Sequence, residues 1–121
     1  LLLCNTLIAR TIFVSPDGSD SNTGTKTKPI ANLQTATELL QPGDSLLIRE
    51  GEYKMSPWLI NKKGKPDAWI TIMAFPGEKV TVNGSEFLKE TPEGREGSSQ
   101  IHFNGTIKIE KAAFIKFKGI C

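Results

Sequence analysis

Short runs of apolar and β-branched residues, each bounded by glycine, proline, asparagine or aspartate, recur along most of the chain. The run from Leu46 to Ile48 shows the pattern, because a Pro-Gly turn at Pro42 precedes it and Gly51 follows it. A strand this short cannot form a sheet by itself and needs neighbours of similar length. The chain supplies them, with further runs at 11–14, 57–60, 69–74, 80–82, 101–103, 107–109 and 114–117.

One segment, residues 31–41, has helical rather than strand periodicity. Its apolar residues follow the spacing i, i+3, i+7 of a single stripe: Leu33, Ala36 and Leu40. Asn32 is a suitable N-cap, and Pro42 and Gly43 end the segment. We therefore predict one short amphipathic helix whose stripe lies against apolar residues.

The strands return at intervals that are typical of a solenoid. Leu46 and Ile70 are 24 residues apart, and Val80 and Ile107 are 27 apart, with a polar insertion at 85–99 inside the second interval. Asn-Gly hairpin turns do not join every pair of strands, which favours parallel stacking. One coil of such a stack cannot bury its own apolar side, so coils cover one another and the ends need caps. We predict an all-β parallel β-helix that the helix caps at its N-terminal end, with no second cap after the last strand.

Three stretches occur in a specific order: VSPDGSDSNTGTKTKPIANLQTATELLQPGDSLLIREGEY, GKPDAWITIMAFPGEKVTVNG and AAFIKFKGI. In this order they resemble the N-terminal portion of secreted right-handed parallel β-helix proteins. That group includes polysaccharide lyases acting on pectate, alginate or chondroitin-type polymers. Ile30 stands where the family usually has an aromatic residue, and Glu50 where it often has glycine. Members continue for several hundred residues, so the resemblance implies that 10–121 is the cap and first coils of an incomplete right-handed β-helix domain, truncated at its C-terminal end.

The resemblance implies a carbohydrate-active parent protein, most simply a polysaccharide lyase that cleaves uronic-acid polymers by β-elimination. In such lyases a base removes the proton next to the sugar carboxylate, and Ca²⁺ held by Asp or Glu, or a Lys/Arg pair, neutralises that carboxylate. None of the family's catalytic motifs can be matched within 1–121. The catalytic residues are therefore expected beyond residue 121, the chain alone is expected to be inactive, and any Ca²⁺ is expected in the complete protein rather than in this part. Two alternatives remain open: a non-catalytic β-helix module of the adhesin or carbohydrate-binding kind, and a β-helix glycoside hydrolase.

A cluster of lysines is the candidate contact for such a polymer: Lys62, Lys63 and Lys65. Positive side chains at the edge of a groove attract an acidic polysaccharide, although a solvated loop has the same composition. Trp58 and Trp69 can stack on sugar rings or pack at the corners of coils. His102 alternates with apolar neighbours and is expected to point away from the core.

Oxygen ligands suited to Ca²⁺ occur in one glycine-containing loop: Asp17, Ser19, Asp20 and Asn22. The glutamate that completes an EF-hand loop is missing there. Such residues also form Asx turns, so we expect an ordinary loop and predict no metal site in this chain.

Composition limits the other classes of function. The formal net charge of +2 is too small to indicate binding to nucleic acid or a membrane surface, and no later run reaches transmembrane length. Cys4 and Cys121 lie in neither a zinc-binding nor a redox spacing, and a disulfide between them is not expected. The expected partner is an acidic polysaccharide, and the complete protein is expected to be a monomer.

The opening segment 1–9, LLLCNTLIA, is apolar and ends at a small residue before Arg10. We interpret it as the remnant of a secretory signal peptide with cleavage near Ala9. Leu7, three residues before that cut, is larger than the usual small residue, and a buried first strand is the alternative. Cleavage there would begin the mature domain at 10–121 and place the protein in the medium, the periplasm or on the cell surface.

Overall fold

The computed structural model describes residues 9–55, 58–83, 101–104 and 107–118, with side chains for all of these except 101–104 and 107–108. This part of the chain contains one α-helix and nine short strands. In chain order they are β1 (Thr11–Val14), α1 (Leu33–Glu38), β2 (Ser45–Ile48), β3 (Gly51–Lys54), β4 (Trp58–Ile60), β5 (Ile70–Ala74), β6 (Val80–Asn83), β7 (Ile101–Asn104), β8 (Ile107–Ile109) and β9 (Ile115–Lys118).

All of the strand pairs in the described residues are parallel. They form three sheets, with the orders β1-β2-β5-β9 in sheet A, β3-β6-β7 in sheet B and β4-β8 in sheet C. The chain visits sheets A, B and C in turn through β2, β3 and β4, and then returns to sheet A at β5. This is one coil of a β-helix, so the predicted parallel stacking is confirmed.

The core lies between the sheets, where side chains at alternate strand positions stack from coil to coil. In sheet A, Ile12, Leu46 and Ile72 are in register and buried, and so are Val14, Ile48 and Ala74. Each fully buried side chain of this size contributes about 1.5–3 kcal/mol to folding. The ladder cannot form within one coil, which is why the strands are stable only when stacked.

The interval predicted between Leu46 and Ile70 was wrong by two residues. Leu46 pairs with Ile72 and not with Ile70. The strand after it was not predicted: Gly51 begins β3 instead of only ending the preceding run. Gly51 has φ of 145°, and a Cβ there would lie 2.3 Å from Cγ of Pro16. A glycine is therefore needed for the chain to turn from sheet A into sheet B against the first loop.

The second predicted interval was also wrong. Val80 pairs with Ile101, and Ile107 pairs with Trp58. After residues 84–100 the chain therefore forms another strand of sheet B, β7. It enters sheet C only after that, at β8. Because the spacing was measured across the insertion, it could not show which strand is the neighbour.

Helix α1 caps the N-terminal end of the stack, as predicted. Asn32 is its N-cap, and its side-chain oxygen accepts hydrogen bonds from the amides of Gln34 and Thr35 at 2.8 and 3.2 Å. The predicted stripe is buried: Leu33, Ala36 and Leu40. Leu39 lies off the stripe and is 42% exposed, in agreement with the helical spacing.

The loop between β1 and α1 covers the outer edge of sheet A. The amide of Phe13 donates to the carbonyl of Gly24 at 2.7 Å, and the amide of Ile30 donates to the carbonyl of Phe13 at 3.0 Å. The loop predicted at 15–29 is thus a second part of the cap. An edge that is already hydrogen-bonded in this way does not recruit strands from other chains.

Candidate carbohydrate-contact site

The three predicted lysines lie in the loop 61–69, which joins β4 to β5. Lys63 and Lys65 are exposed, and Lys62 is half-buried. A tight turn closes the loop, because the amide of Lys65 donates to the carbonyl of Ala68 and the amide of Ala68 donates to the carbonyl of Lys65, each at 3.0 Å. The turn holds the backbone of these lysines in place while their side chains extend from it.

This loop stacks on the corresponding loop of the next coil. The amide of Gly64 donates to the carbonyl of Ala113 at 2.9 Å, and Lys63 forms an isolated parallel bridge with Ala113. A Cβ on Gly64 would lie 2.6 Å from the carbonyl oxygen of Phe114 and 2.8 Å from that of Ala68. Only glycine lets the two loops approach this closely.

Two aromatic rings meet where the loops stack. Trp69 and Phe114 have their ring centroids 5.5 Å apart and their planes at 81°, an edge-to-face arrangement. The indole N–H of Trp69 donates to the carbonyl of Pro66 at 3.2 Å, so the ring is fixed against the turn between Lys65 and Ala68. Trp69 is nevertheless 40% exposed and Phe114 38% exposed.

A fourth lysine joins this arrangement from β9. The ammonium of Lys116 lies 5.3 Å from the centroid of the Trp69 ring, a cation–π contact, and Thr71 is its neighbour in β5. Sequence reasoning missed Lys116, because 47 residues separate it from Trp69 and only the strand register brings them together. We call the group Lys62, Lys63, Lys65, Trp69 and Lys116 the lysine–tryptophan surface.

The lysine–tryptophan surface combines ammonium groups with a partly exposed aromatic ring. Exposed ammonium groups attract carboxylates and form charge-assisted hydrogen bonds with them. An exposed indole presents an apolar face to the C–H groups of a sugar ring. A cavity of about 330 Å³ adjoins the aromatic pair and is lined only by apolar residues: Trp69, Ile109, Ala112, Ala113, Phe114, Ile115 and Phe117.

The other predicted candidates have structural positions or lie outside the described residues. Trp58 is fully buried and meets Phe117 edge to face with centroids 6.5 Å apart, so it belongs to the core and not to a sugar site. The backbone of His102 pairs with Thr81, and its side chain lies outside the described part of the chain, as do Cys4 and Cys121.

The loop that carries Asp17, Ser19, Asp20 and Asn22 uses its polar groups internally. A carboxylate oxygen of Asp20 accepts the amide of Asn32 at 2.8 Å, and the amide of the Asn22 side chain donates to the carbonyl of Pro29 at 2.9 Å. Within the described residues, no three His, Cys, Asp or Glu side chains come close enough to hold a metal ion.

A bidentate ion pair lies at the corner between sheets A and B. The guanidinium of Arg49 donates to both carboxylate oxygens of Glu78 at 2.6 and 2.9 Å. This hydrogen bonding holds the pKa of Glu78 below its ordinary value and raises the pKa of Arg49. Burial raises the pKa of the nearby Tyr53 hydroxyl, which donates to the carbonyl of Arg49 at 2.8 Å. These groups stabilise the corner.

Sequence comparison places the chain among β-helix proteins. The family model of the Pel9A-like right-handed beta helix region matches residues 12–121. The pectate lyase PEL9 of Emericella nidulans is 32% identical over 112 residues, which are 92% of this chain and 27% of PEL9. The chain therefore spans about a quarter of the length of this relative.

Solved structures show the same fold. The pectate lyase Pel9A superposes with a TM-score of 0.65 and 22% identity, covering 92% of this chain and 27% of that one. The lacto-N-biosidase GH136 of Eubacterium ramulus superposes with a TM-score of 0.66 and 21% identity, covering 92% and 20%. Identities this low show the shared fold alone. Because the family model covers nearly the whole chain and the structure has the same parallel coils, the chain belongs to the Pel9A-like right-handed β-helix family, whose fold it shares with carbohydrate-active enzymes.

Proposed function

We propose that this chain is the N-terminal part of a secreted polysaccharide lyase that cleaves uronic-acid polymers by β-elimination. The observation that carries the proposal is the 32% identity with a pectate lyase over 92% of the chain. The fold alone would not support it, since one scaffold hosts both lyases and hydrolases. Secretion is part of the proposal and is supported by the apolar segment 1–9. No helix of the described part is long and apolar enough to cross a membrane.

The proposed reaction needs a base and a means of neutralising the substrate carboxylate. The base takes the proton from the carbon that bears the carboxylate, a double bond forms to the next carbon, and the glycosidic oxygen departs and is protonated. None of the family's catalytic motifs can be matched within 1–121. We therefore assign the reacting groups to the part of the protein beyond residue 121, and we expect this chain alone to be inactive.

The role that we propose for this chain is to cap the β-helix and to contact the polymer. The lysine–tryptophan surface offers positive charge from Lys63 and Lys65 beside an exposed indole at Trp69. A polyuronate carries one carboxylate on each sugar, so the lysines of loop 61–69 can pair with its carboxylates. Such a contact raises substrate affinity without taking part in the chemical step.

The reaction class is tested with the complete protein that contains this chain. It is incubated with polygalacturonate, alginate and chondroitin, with and without added Ca²⁺, and the ultraviolet absorbance of unsaturated uronate is followed. Unsaturated product from at least one polymer is expected. New reducing ends without unsaturation would replace the proposal with a glycoside hydrolase, and binding without cleavage would replace it with a non-catalytic module.

The contact role is tested separately with the double variant K63A/K65A. It should raise KM for the cleaved polymer several-fold at low salt while kcat stays unchanged, and the difference should shrink as salt is added. The control is K28A/K79A, which removes the same charge from exposed lysines outside the loop. Equal effects of the two double variants would show that only overall charge matters and would end the assignment of this surface.

A further inference from the structure

A buried carboxylate lies at the point where β1 begins. Asp44 is only 1% exposed, and its Oδ1 accepts the backbone N–H of Arg10 at 3.0 Å. Its Oδ2 accepts the guanidinium of Arg10 at 3.1 Å and the backbone N–H of Gln41 at 2.9 Å. Both side-chain hydrogen bonds that tie Asp44 to the start of β1 thus go to one residue, Arg10.

Both backbone polar groups of Arg10, its N–H and its carbonyl, are hydrogen-bonded. Its carbonyl accepts the amide of Ser45 at 2.9 Å, which starts the parallel pairing between β1 and β2. Ala9 is exposed, yet its Cβ would be 3.8 Å from a Cβ placed on Gly43, so it runs beside the turn that carries Asp44. The backbone of Arg10 is therefore fixed directly before β1, which begins at Thr11.

The two partners of this ion pair differ in their exposure to water. Asp44 is almost fully withdrawn from water, whereas the side chain of its cation, Arg10, is 54% exposed. A buried carboxylate is stabilised most when its oxygens accept from charged donors. An amide N–H at Arg10 carries no charge, but a chain that began at Arg10 would place an α-ammonium at the same atom, 3.0 Å from Oδ1.

We propose that a signal-type peptidase hydrolyses the peptide bond between Ala9 and Arg10, and that the new α-ammonium of Arg10 is captured by Asp44. Water supplies the oxygen of the Ala9 carboxylate, which leaves with the apolar segment 1–9, and the amide nitrogen of Arg10 is released as the ammonium. The inference rests on the export in the proposed function and not on the lyase chemistry.

The order of events follows from the same contacts. In the folded chain the nitrogen of the scissile bond is hydrogen-bonded to a buried side chain, and Ala9 lies beside Gly43. A peptidase needs the residues on both sides of its target to be extended and accessible. Cleavage therefore precedes the docking of β1, and capture of the ammonium completes the cap.

The cleavage site is tested on the complete protein, expressed with its own leader and recovered from outside the cytoplasm. Mass spectrometry of the N-terminal peptide should show that the chain begins at Arg10. A mature chain that begins at any other residue would overturn the proposal. A protein with no lyase activity that begins at Arg10 would leave this inference standing and remove only the catalytic part of the proposed function.

The capture is tested by the rate at which a small amine-reactive reagent labels the α-amino group in the native protein. Labelling should be roughly tenfold slower or more than in the urea-unfolded protein, since the charged hydrogen bond must break first. D44N should abolish this protection, and D17N, at an exposed loop carboxylate, should keep it. R10Q keeps the α-amino group and should keep its protection from labelling. This variant therefore still tests the capture if D44N does not fold. Native labelling as fast as unfolded labelling would exclude the capture.

Discussion

The side chain of Gln34 pairs with the backbone of Leu59 as a neighbouring strand would. Its amide donates to the carbonyl of Leu59 at 2.9 Å, and its carbonyl accepts the amide of Leu59 at 3.0 Å. Leu59 is the middle residue of the three-residue strand β4, whose other edge pairs with β8. One side chain of the capping helix thus satisfies the edge that sheet C would otherwise leave open.

Replacing Gln34 should expose that edge. We expect Q34L to lower the free energy of unfolding of the 121-residue chain by about 1–3 kcal/mol, because both backbone groups of Leu59 lose their partners. The free energy of unfolding of Q34E should lie between those of Q34L and the unchanged chain. A carboxylate can accept from the amide of Leu59 but cannot donate to its carbonyl. Urea unfolding measures the loss, and hydrogen exchange at the amide of Leu59 locates it. Q41A, at an exposed side chain, is the control, and an equal loss in Q41A would contradict the assignment.

The hydroxyl of Thr37 links the cap to the core. It accepts the indole N–H of Trp58 at 3.0 Å and donates to the carbonyl of Leu33 at 2.7 Å, and both side chains are buried. We expect T37V to cost about 1–3 kcal/mol, because it removes the hydrogen bond between the indole N–H and the hydroxyl in the core. T37S keeps the hydroxyl and should cost about 1 kcal/mol or less. Tryptophan fluorescence during urea unfolding measures the stability of both variants, and a serine variant as unstable as the valine variant would argue for packing instead.

Gly64 should be needed for the stacking of the loops. An alanine Cβ there meets two backbone oxygens at 2.6 and 2.8 Å, so the loop 61–69 must move away from the next coil. We expect G64A to cost about 1–3 kcal/mol. It should also speed hydrogen exchange at the amides of Gly64 and Ala113, which bond across the loops.

The matched control for that substitution is G77A. Gly77 has φ of 80°, so alanine strains its backbone, but a Cβ there meets no atom within 4 Å. G77A is therefore expected to lower stability without changing exchange between the loops. Similar exchange changes in both variants would show that general loosening, and not the contact at Gly64, is responsible.

The pair Arg49–Glu78 should make stability depend on pH in the acid range. Hydrogen bonding by Arg49 lowers the pKa of Glu78 in the folded chain below the ordinary value of 4.5. The stabilising contribution is therefore fully present above that ordinary value and is lost as the pH falls through the folded pKa. E78Q should flatten the acid side of a plot of unfolding free energy against pH, while E38Q, at an exposed helix position, should leave it unchanged. An unaltered acid limb in E78Q would refute the linkage.

Local pattern predicted much of the fold because it depends on residues close together in the chain. Short apolar and β-branched runs bounded by turn residues marked the strands around Ile12, Leu46 and Ile72, which are buried in register. The stripe that begins at Leu33 and the cap at Asn32 marked the helix. β3 was missed because only Tyr53 of its four residues is a buried apolar side chain, and Gly51 normally signals a turn.

The lysine–tryptophan surface was predicted only in part. Lys62, Lys63 and Lys65 are adjacent in the chain, so their shared charge was visible as a cluster. Lys116 was not, because its contact with Trp69 follows from the pairing of β5 with β9. The link between Arg10 and Asp44 was hidden for the same reason.

By itself the sequence determined the short strands, the single amphipathic helix and the membership in a capped parallel coil, since periodicity and turn chemistry act over a few residues. Only the tertiary structure decided which strands are neighbours, with Val80 beside Ile101 and Trp58 beside Ile107. The physical reason is that hydrogen bonds between coils join residues tens of positions apart, and an insertion changes that separation without changing the bond. The surfaces built across coils, and the function proposed for them, follow from those pairings.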